Sequence, residues 1–150
     1  MKNGIQLKGH LKFTVRNLLT DKVIQKFSSH NVIVNSGVIN ILNGLAGNNF
    51  KAIAKFAVGT GNNAESITNT SLTDKFTKNV SNVTVEEDKK SVTFNFQLDS
   101  NEYNNKTINE MGLFLADDTT LFSRRTITVP IEKSEVIALS GSWTITLNQE

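Results

Sequence analysis

The chain has 150 residues, enough for a single domain with one hydrophobic core that buries about two thirds of the surface of the unfolded chain. Sixteen basic and fourteen acidic residues are spread along the sequence and leave a net charge of +2, so composition gives no support for a nucleic-acid or anionic-membrane partner. Cysteine is absent, which excludes disulfides, thiolate metal sites and cysteine nucleophiles.

The first predicted strand runs from Ile5 to Val15, where apolar odd positions alternate with polar even positions. This alternation indicates a half-buried strand with a solvated, lysine-rich outer face, and it is unlike a signal peptide or a membrane span. We therefore expect a soluble protein that is kept in a cytoplasm until it is used. His10 lies on the outer face, and because His30 has no paired spacing to it, we assign neither a metal nor a catalytic role.

A turn follows at 17–21, and a returning strand begins at 23–27 and resumes at 31–34. The next segment, Ser36 to Gly47, changes to a helical period, with Asn35 or Ser36 placed to cap its first amides and Gly47 placed to end it. Apolar residues recur at helical spacing, at Val38, Ile39, Ile41, Leu42 and Leu45. A short helix is marginal alone, so we expect this face to plug one end of a β-core. A membrane-binding or partner-binding role of the face is the alternative.

A short strand at 52–58 is followed by Gly-Thr-Gly at 59–61. This is not a phosphate-binding loop, because no Lys-Ser/Thr pair and no helix follow. Residues 59–73 are predicted to form a polar surface loop that contacts a neighbour. A second polar loop at 99–106 lacks the alternating oxygen ligands of a calcium site, and its Tyr103 is a weak candidate for stacking on a sugar ring.

Residues 76–85 and 91–98 are predicted to form a hairpin with a charged tip. The central hairpin is predicted from Thr107 to Val129, with Asp117 and Asp118 as a two-residue turn. This turn pairs Phe114 with Leu121 and sets Glu110 opposite Arg125 as an ion pair.

In the first strand of the central hairpin, apolar residues on both faces indicate burial on both sides. Gly112 marks a bulge or a close backbone approach. A role for Glu110 as a general acid or base is the alternative, but no second group lies at a recognisable spacing.

Residues 130–134 are predicted to interrupt the ladder, and the last strand covers 135–148. Its inner side is formed by Ile137, Leu139, Gly141, Trp143, Ile145 and Leu147, with Trp143 at the centre of the core. About eight strands and one short α-helix predict a mainly β fold, an antiparallel β-sandwich of jelly-roll type in one domain over 1–150. No catalytic, cofactor-binding or metal-binding residue is assigned, no cofactor is expected, and an enzyme is not predicted.

Five segments together resemble a family of small bacteriophage virion proteins, described as tail or tail-fibre proteins. The segments are NVIVNSGVINIL from Asn31, IAKFAVGTG from Ile53, TSLTDKFTKNV from Thr70, TINEMGLFLADDTTLFSR from Thr107 and SWTITL from Ser142. The resemblance covers 31–147 and leaves the N-terminal hairpin unmatched.

The resemblance implies a structural subunit of a phage tail, collar, baseplate or fibre that acts by assembly, located in the virion and made in the bacterial cytoplasm. We expect a homo-oligomer that also contacts other virion proteins. The contacts are expected from the loops at 59–73 and 99–106 and from the N-terminal segment, with neither nucleic-acid binding nor membrane insertion. A head decoration protein and a lectin-like module that binds a host surface glycan are the alternatives, because a surface rich in Asn, Thr and Ser suits both.

Overall fold

The structure is a computed structural model that describes residues 4–149, and residues 1–3 of the predicted N-terminal contact segment lie outside this range. The described residues form nine strands and one helix. The elements are β1 (Ile5–Asn17), β2 (Lys22–Ile33), α1 (Asn35–Ala46), β3 (Ile53–Gly59), β4 (Phe76–Asn79), β5 (Asn82–Glu86), β6 (Ser91–Leu98), β7 (Lys106–Leu115), β8 (Leu121–Lys133) and β9 (Ile137–Gln149). The mainly β composition with one short helix is confirmed, and all ladders between these strands are antiparallel.

The chain divides into two compact units. The described part of the first unit comprises residues 4–31, 80–104 and 134–149, and the second comprises 32–79 and 105–133. Each unit is built from segments that are distant in sequence. The single domain expected from chain length stays a prediction.

The first unit holds a sheet with the strand order β2-β1-β9-β6-β5. Its buried side carries the alternate apolar residues of three strands: Leu11, Phe13 and Val15, then Phe94, Phe96 and Leu98, then Leu139, Trp143 and Ile145. Trp143 is fully buried, as predicted. Leu147 was expected on the same side but is exposed, because it pairs with Leu7 near the end of the ladder, next to the exposed Ile5.

The second unit holds β4-β3-β7-β8, and Val32 and Ile33 at the end of β2 pair with β8. Burial of β7 on both faces is confirmed, since all residues from Glu110 to Leu115 are buried. Its Phe114 packs in a core cluster with Val34, Ala57, Leu72 and Leu121. Two strands therefore flank β7 while the residues on both of its faces are covered.

The predicted strand over 76–85 is wrong, because the structure splits it into two short strands. β4 pairs with β3 in the second unit, whereas β5 pairs with β6 in the first. The chain turns away at Ser81, whose backbone N–H and hydroxyl both donate to the carbonyl of Asn95. The β5–β6 ladder begins at the next residue, where Asn82 lies opposite Asn95.

The turn between β7 and β8 has the predicted Phe114–Leu121 pair but a longer loop. The register then shifts by one residue, so that Leu113 lies opposite Ser123 and Phe122 is the extra residue. The Phe122 carbonyl accepts a hydrogen bond from the Val34 N–H at the start of α1 instead. The shift places Glu110 opposite Thr126, which corrects the predicted pairing with Arg125. Residues 130–134 do not end the strand, since β8 continues to Lys133 beyond a second irregularity.

Candidate functional site

The buried carboxylate of Glu110 lies in an ion pair with Arg124, and both side chains are 1% exposed. Arg124 Nε donates to Glu110 Oε1 over 2.8 Å. Glu110 Oε2 accepts hydrogen bonds from the backbone N–H groups of Gly61 and Thr73, over 2.6 and 2.8 Å. Both oxygens of the one carboxylate singled out in the sequence are thus held by donors. The sequence pointed to an ion pair at Glu110 but to the wrong arginine.

The same ion pair holds the loop that connects β3 to β4. The guanidinium of Arg124 donates to the carbonyls of Asn63 and Ala64 and to the side-chain oxygens of Asn63 and Asn69. A Cβ on Gly61 would lie 2.5 Å from Glu110 Oε2. The glycine of the Gly-Thr-Gly segment therefore makes room for a carboxylate, and this pairing explains the motif that resembled a phosphate loop.

The neighbouring arginine holds the same loop from the other side of β8. Arg125 pairs with Glu65 over 3.0 Å, and Glu65 also accepts from the N–H and hydroxyl of Thr126. Burial acts to raise the pKa of Glu65, but the two Thr126 donors, its own N–H and Arg125 outweigh burial and lower it below the usual value. The predicted contact loop at 59–73 is consequently held in two places, by Glu110 of β7 and by its own Glu65.

The two histidines lie opposite each other on β1 and β2, with ring centroids 5.1 Å apart. The expectation that they are unpaired is wrong, because the hairpin register brings them together. His10 Nε2 is 2.8 Å from the Ser28 hydroxyl oxygen. Burial, His30 and Lys12 lower the pKa of His10. Among residues 4–149 no group of three or more His, Cys, Asp or Glu side chains is placed to hold a metal ion.

The loop ahead of β7 folds onto itself. Glu102 accepts from the Asp99 N–H over 2.8 Å, and the Asn104 side chain donates to the Ser100 carbonyl over 2.9 Å. Tyr103, considered as an exposed sugar-stacking residue, is half-buried, which corrects that expectation.

Within the second unit, helix α1 packs through its small and polar side rather than through its apolar side. A Cβ on Gly37 would lie 2.6 Å from the Phe122 carbonyl oxygen, so the helix begins in close contact with β8. Asn40 is buried, and its amide donates to the Lys51 carbonyl and accepts from the Lys51 N–H. Gly47 ends the helix at φ 73°, as predicted, but the cap residue is Val34 without a side-chain cap, and the Ser36 hydroxyl bonds to Leu121.

The opposite side of α1 is apolar and exposed. We call Val38, Ile39, Leu42 and Leu45 the apolar face; their exposed fractions are 42, 55, 57 and 82%. The expectation that this face plugs the end of a β-core is wrong. The two hydrogen bonds between the Asn40 side chain and the Lys51 backbone, together with the close approach at Gly37, fix the helix in this orientation.

The apolar face also lacks charge. Residues 31–50 contain no Asp, Glu, Lys, Arg or His. Phe50 is 58% exposed and packs over Gly44 of the same helix. The four large side chains of the apolar face are therefore exposed together, with no charged residue in the surrounding sequence. Helix α1 has 12 residues, and no helix within 4–149 has the length and hydropathy to cross a bilayer.

No family model, curated protein or solved structure matches this chain.

The exposed side of the first unit is a second candidate surface. Its side chains form three rows across β2, β1, β9 and β6, which we call the polar face. The rows are Lys26, Thr14, Ser140 and Gln97; Ser28, Lys12, Ser142 and Asn95; and His30, His10, Thr144 and Thr93. None of these four strands, all within the described residues, contains Asp or Glu. Strand pairing thus gathers basic residues that the sequence spreads out.

A depression of about 460 Å³ lies over β2, β1 and β9 on the polar face. It is lined by both lysines and by hydroxyl side chains, and also by Phe13, Phe27 and Gly141. A second depression of about 140 Å³ shares Thr14 and Ser140 with the first. Its far end includes Asp99, which accepts from Gln97. The two depressions meet at these shared residues and give the face an elongated form.

Proposed function

We propose that this protein is a structural subunit of a bacteriophage particle and acts by assembling with further copies of itself. The exposed, uncharged apolar face of α1 is the observation that carries the proposal. Part of the virion-like sequence, NVIVNSGVINIL, lies in the segment that forms this helix. The predicted sandwich arrangement and a position in the tail, collar, baseplate or fibre belong to the same proposal.

A second copy of the chain suits the apolar face for two reasons. Two identical uncharged faces meet without repulsion, whatever the angle between their helices. Burying the four exposed apolar side chains of each copy against those of the other removes them from water, which is the main favourable term in most protein association. A membrane surface suits it less well, because an interfacial helix carries Lys or Arg on its polar side and α1 has neither.

Substitution of Leu42 by Lys tests the contact. Lysine keeps helix propensity but puts a charge at the centre of the apolar face. We expect the natural protein to sediment as an oligomer in analytical ultracentrifugation and Leu42→Lys to sediment as a monomer. Val85→Lys is the matched control, since Val85 is 68% exposed on strand β5 and belongs to the first unit. A natural protein that stays monomeric, or equal effects of both variants, would contradict this contact.

Antibody labelling of purified phage particles tests the virion role separately. Label on the tail, collar or baseplate supports the proposed position, and label on the head selects the decoration protein instead. Complete absence of the subunit from particles that otherwise carry all their proteins would overturn the virion role, even if the isolated protein forms oligomers.

A further inference from the structure

We propose that the polar face of the first unit binds an acidic polysaccharide. The inference does not depend on the apolar face of α1, because each protomer carries its own polar face. It rests on charge, on the hydrogen-bonding groups of the face and on its shape.

The charge of the face is of one sign. Lys12 lies opposite Ser28, and Lys26 lies opposite Thr14. The two lysines are therefore diagonal neighbours, with Cα atoms about 7–8 Å apart. Lys8 is exposed on the same side of β1. Within the first unit, the carboxylate that contacts the polar face by a described hydrogen bond is Asp99, at its Gln97 end. An anionic ligand at the two lysines therefore meets no carboxylate on the four strands.

Most of the remaining side chains are hydroxyls and amides, and the other two are His10 and His30. Eight of the twelve residues of the polar face are Ser, Thr, Asn or Gln, and several are half-exposed. Protein hydroxyls and the hydroxyl groups of a sugar ring both donate and accept hydrogen bonds. The face can therefore bond to a polysaccharide at several positions along the sugar chain. The Thr93 and Thr144 hydroxyls lie 2.9 Å apart and hold each other in a row. This combination of lysine with hydroxyls is complementary to a carboxylated sugar, because lysine pairs with the carboxylate and the protein hydroxyls bond to the sugar hydroxyls.

The shape of the face suits a polymer better than a single sugar. Lys12 and Lys26 both line the larger depression, and the smaller one shares Thr14 and Ser140 with it. An extended ligand would place an acidic group at the lysines and further hydroxyls along the neighbouring row. Arg16 lines the smaller depression, so cations lie along both depressions. Nucleic acid fits less well, because the three rows present none of Phe, Tyr or Trp to stack on bases, and Phe13 and Phe27, which line the larger depression, are buried and half-buried.

Affinity electrophoresis through gels containing polygalacturonate, neutral dextran or single-stranded DNA tests the proposal on the full chain. We expect polygalacturonate to retard the natural protein at low ionic strength and less at high ionic strength. The double variant Lys12→Gln/Lys26→Gln should bind about tenfold more weakly, since each exposed charge contributes modestly. Lys12→Arg/Lys26→Arg should keep binding.

Lys89→Gln/Lys90→Gln is the control of equal charge, because these lysines lie in the exposed β5–β6 turn of the same unit. If the control variant binds polygalacturonate and Lys12→Gln/Lys26→Gln does not, the site lies on the polar face. The proposal is overturned if polygalacturonate does not retard the natural protein, if both glutamine variants lose binding equally, or if dextran or DNA binds as tightly. Circular dichroism of each variant confirms that it is folded.

Discussion

Arg124 and Glu110 form an ion pair between β8 and β7 in which neither side chain reaches solvent. A buried pair of this kind is stable only when the remaining donors and acceptors are satisfied. Here they are, because two backbone N–H groups fill the carboxylate and four oxygens of the β3–β4 loop accept from the guanidinium. The pair therefore fixes a polar loop to the centre of the second unit.

Replacing Arg124 by Leu should lower the free energy of unfolding by about 3–5 kcal/mol, because it leaves the Glu110 charge buried without its cation. The loop should loosen as well, so the Gly61 and Thr73 amides should exchange hydrogen faster. Urea unfolding and amide exchange measure the two effects.

The control for this change is Arg16→Leu, which removes an exposed arginine paired with Asp21. This variant should cost no more than about 1 kcal/mol. A similar small loss in Arg124→Leu, with unchanged exchange at Gly61, would contradict the role assigned to the buried pair.

Asn40 fixes the orientation of α1, so its replacement should be costly. Asn40→Leu removes both hydrogen bonds to Lys51 and leaves the Lys51 N–H and carbonyl without these partners, at about 2–4 kcal/mol. Asn35→Leu changes an exposed residue of the same helix and should stay within about 0.5 kcal/mol. Thermal and urea unfolding of both variants measure the difference. An Asn40→Leu variant as stable as the natural protein would contradict the prediction, because the hydrogen bonds to Lys51 would then not fix the orientation of the helix.

The sequence predicted elements whose signal is local. Alternation identified β1, and the helical period with Gly47 identified α1 within one residue at each end. Burial of β7 on both sides was also read correctly. The orientation of α1 was not, because the hydrogen bonds that hold Asn40 come from Lys51, beyond the helix.

Long-range register decided what the sequence missed at the candidate sites. One extra residue at Phe122 moves Arg124 rather than Arg125 to the side of Glu110, since a shift of one residue reverses the facing of a strand. The same holds for His10 and His30, and for the lysines of the polar face, whose proximity follows from the pairing of β1 with β2. The break at Ser81 likewise depends on Asn95, which the local pattern does not reveal.

The ionised carboxylate of Asp117 should contribute to the free energy of unfolding above its unfolded pKa of 3.8 and should lose that contribution in stronger acid. Burial acts to raise its pKa, but the Thr120 hydroxyl, the Thr120 and Thr119 N–H groups and Lys51 lower it from 3.8 to about 2. Because the folded form has the lower pKa, this contribution is present above 3.8 and is lost as pH falls through about 2. Asp117→Asn keeps an acceptor for the turn but no charge. Its stability should therefore fall less between these two pH values, as measured by urea unfolding, and an identical pH dependence would contradict the assignment.

His10 should destabilise the fold in mild acid. Burial, the facing His30 and Lys12 lower its pKa below 6.5, so the unfolded chain binds a proton more readily than the folded chain. The stabilising contribution is therefore present above pH 6.5 and is lost as pH falls through the lower, folded value. We expect the melting temperature of the natural protein to fall between about pH 7.5 and about pH 5.5. His10→Gln keeps a polar group near Ser28 without a titrating ring, and His30→Gln removes the facing ring. Each variant should melt with a weaker pH dependence than the natural protein, and an unchanged slope in His10→Gln would show that other groups produce it.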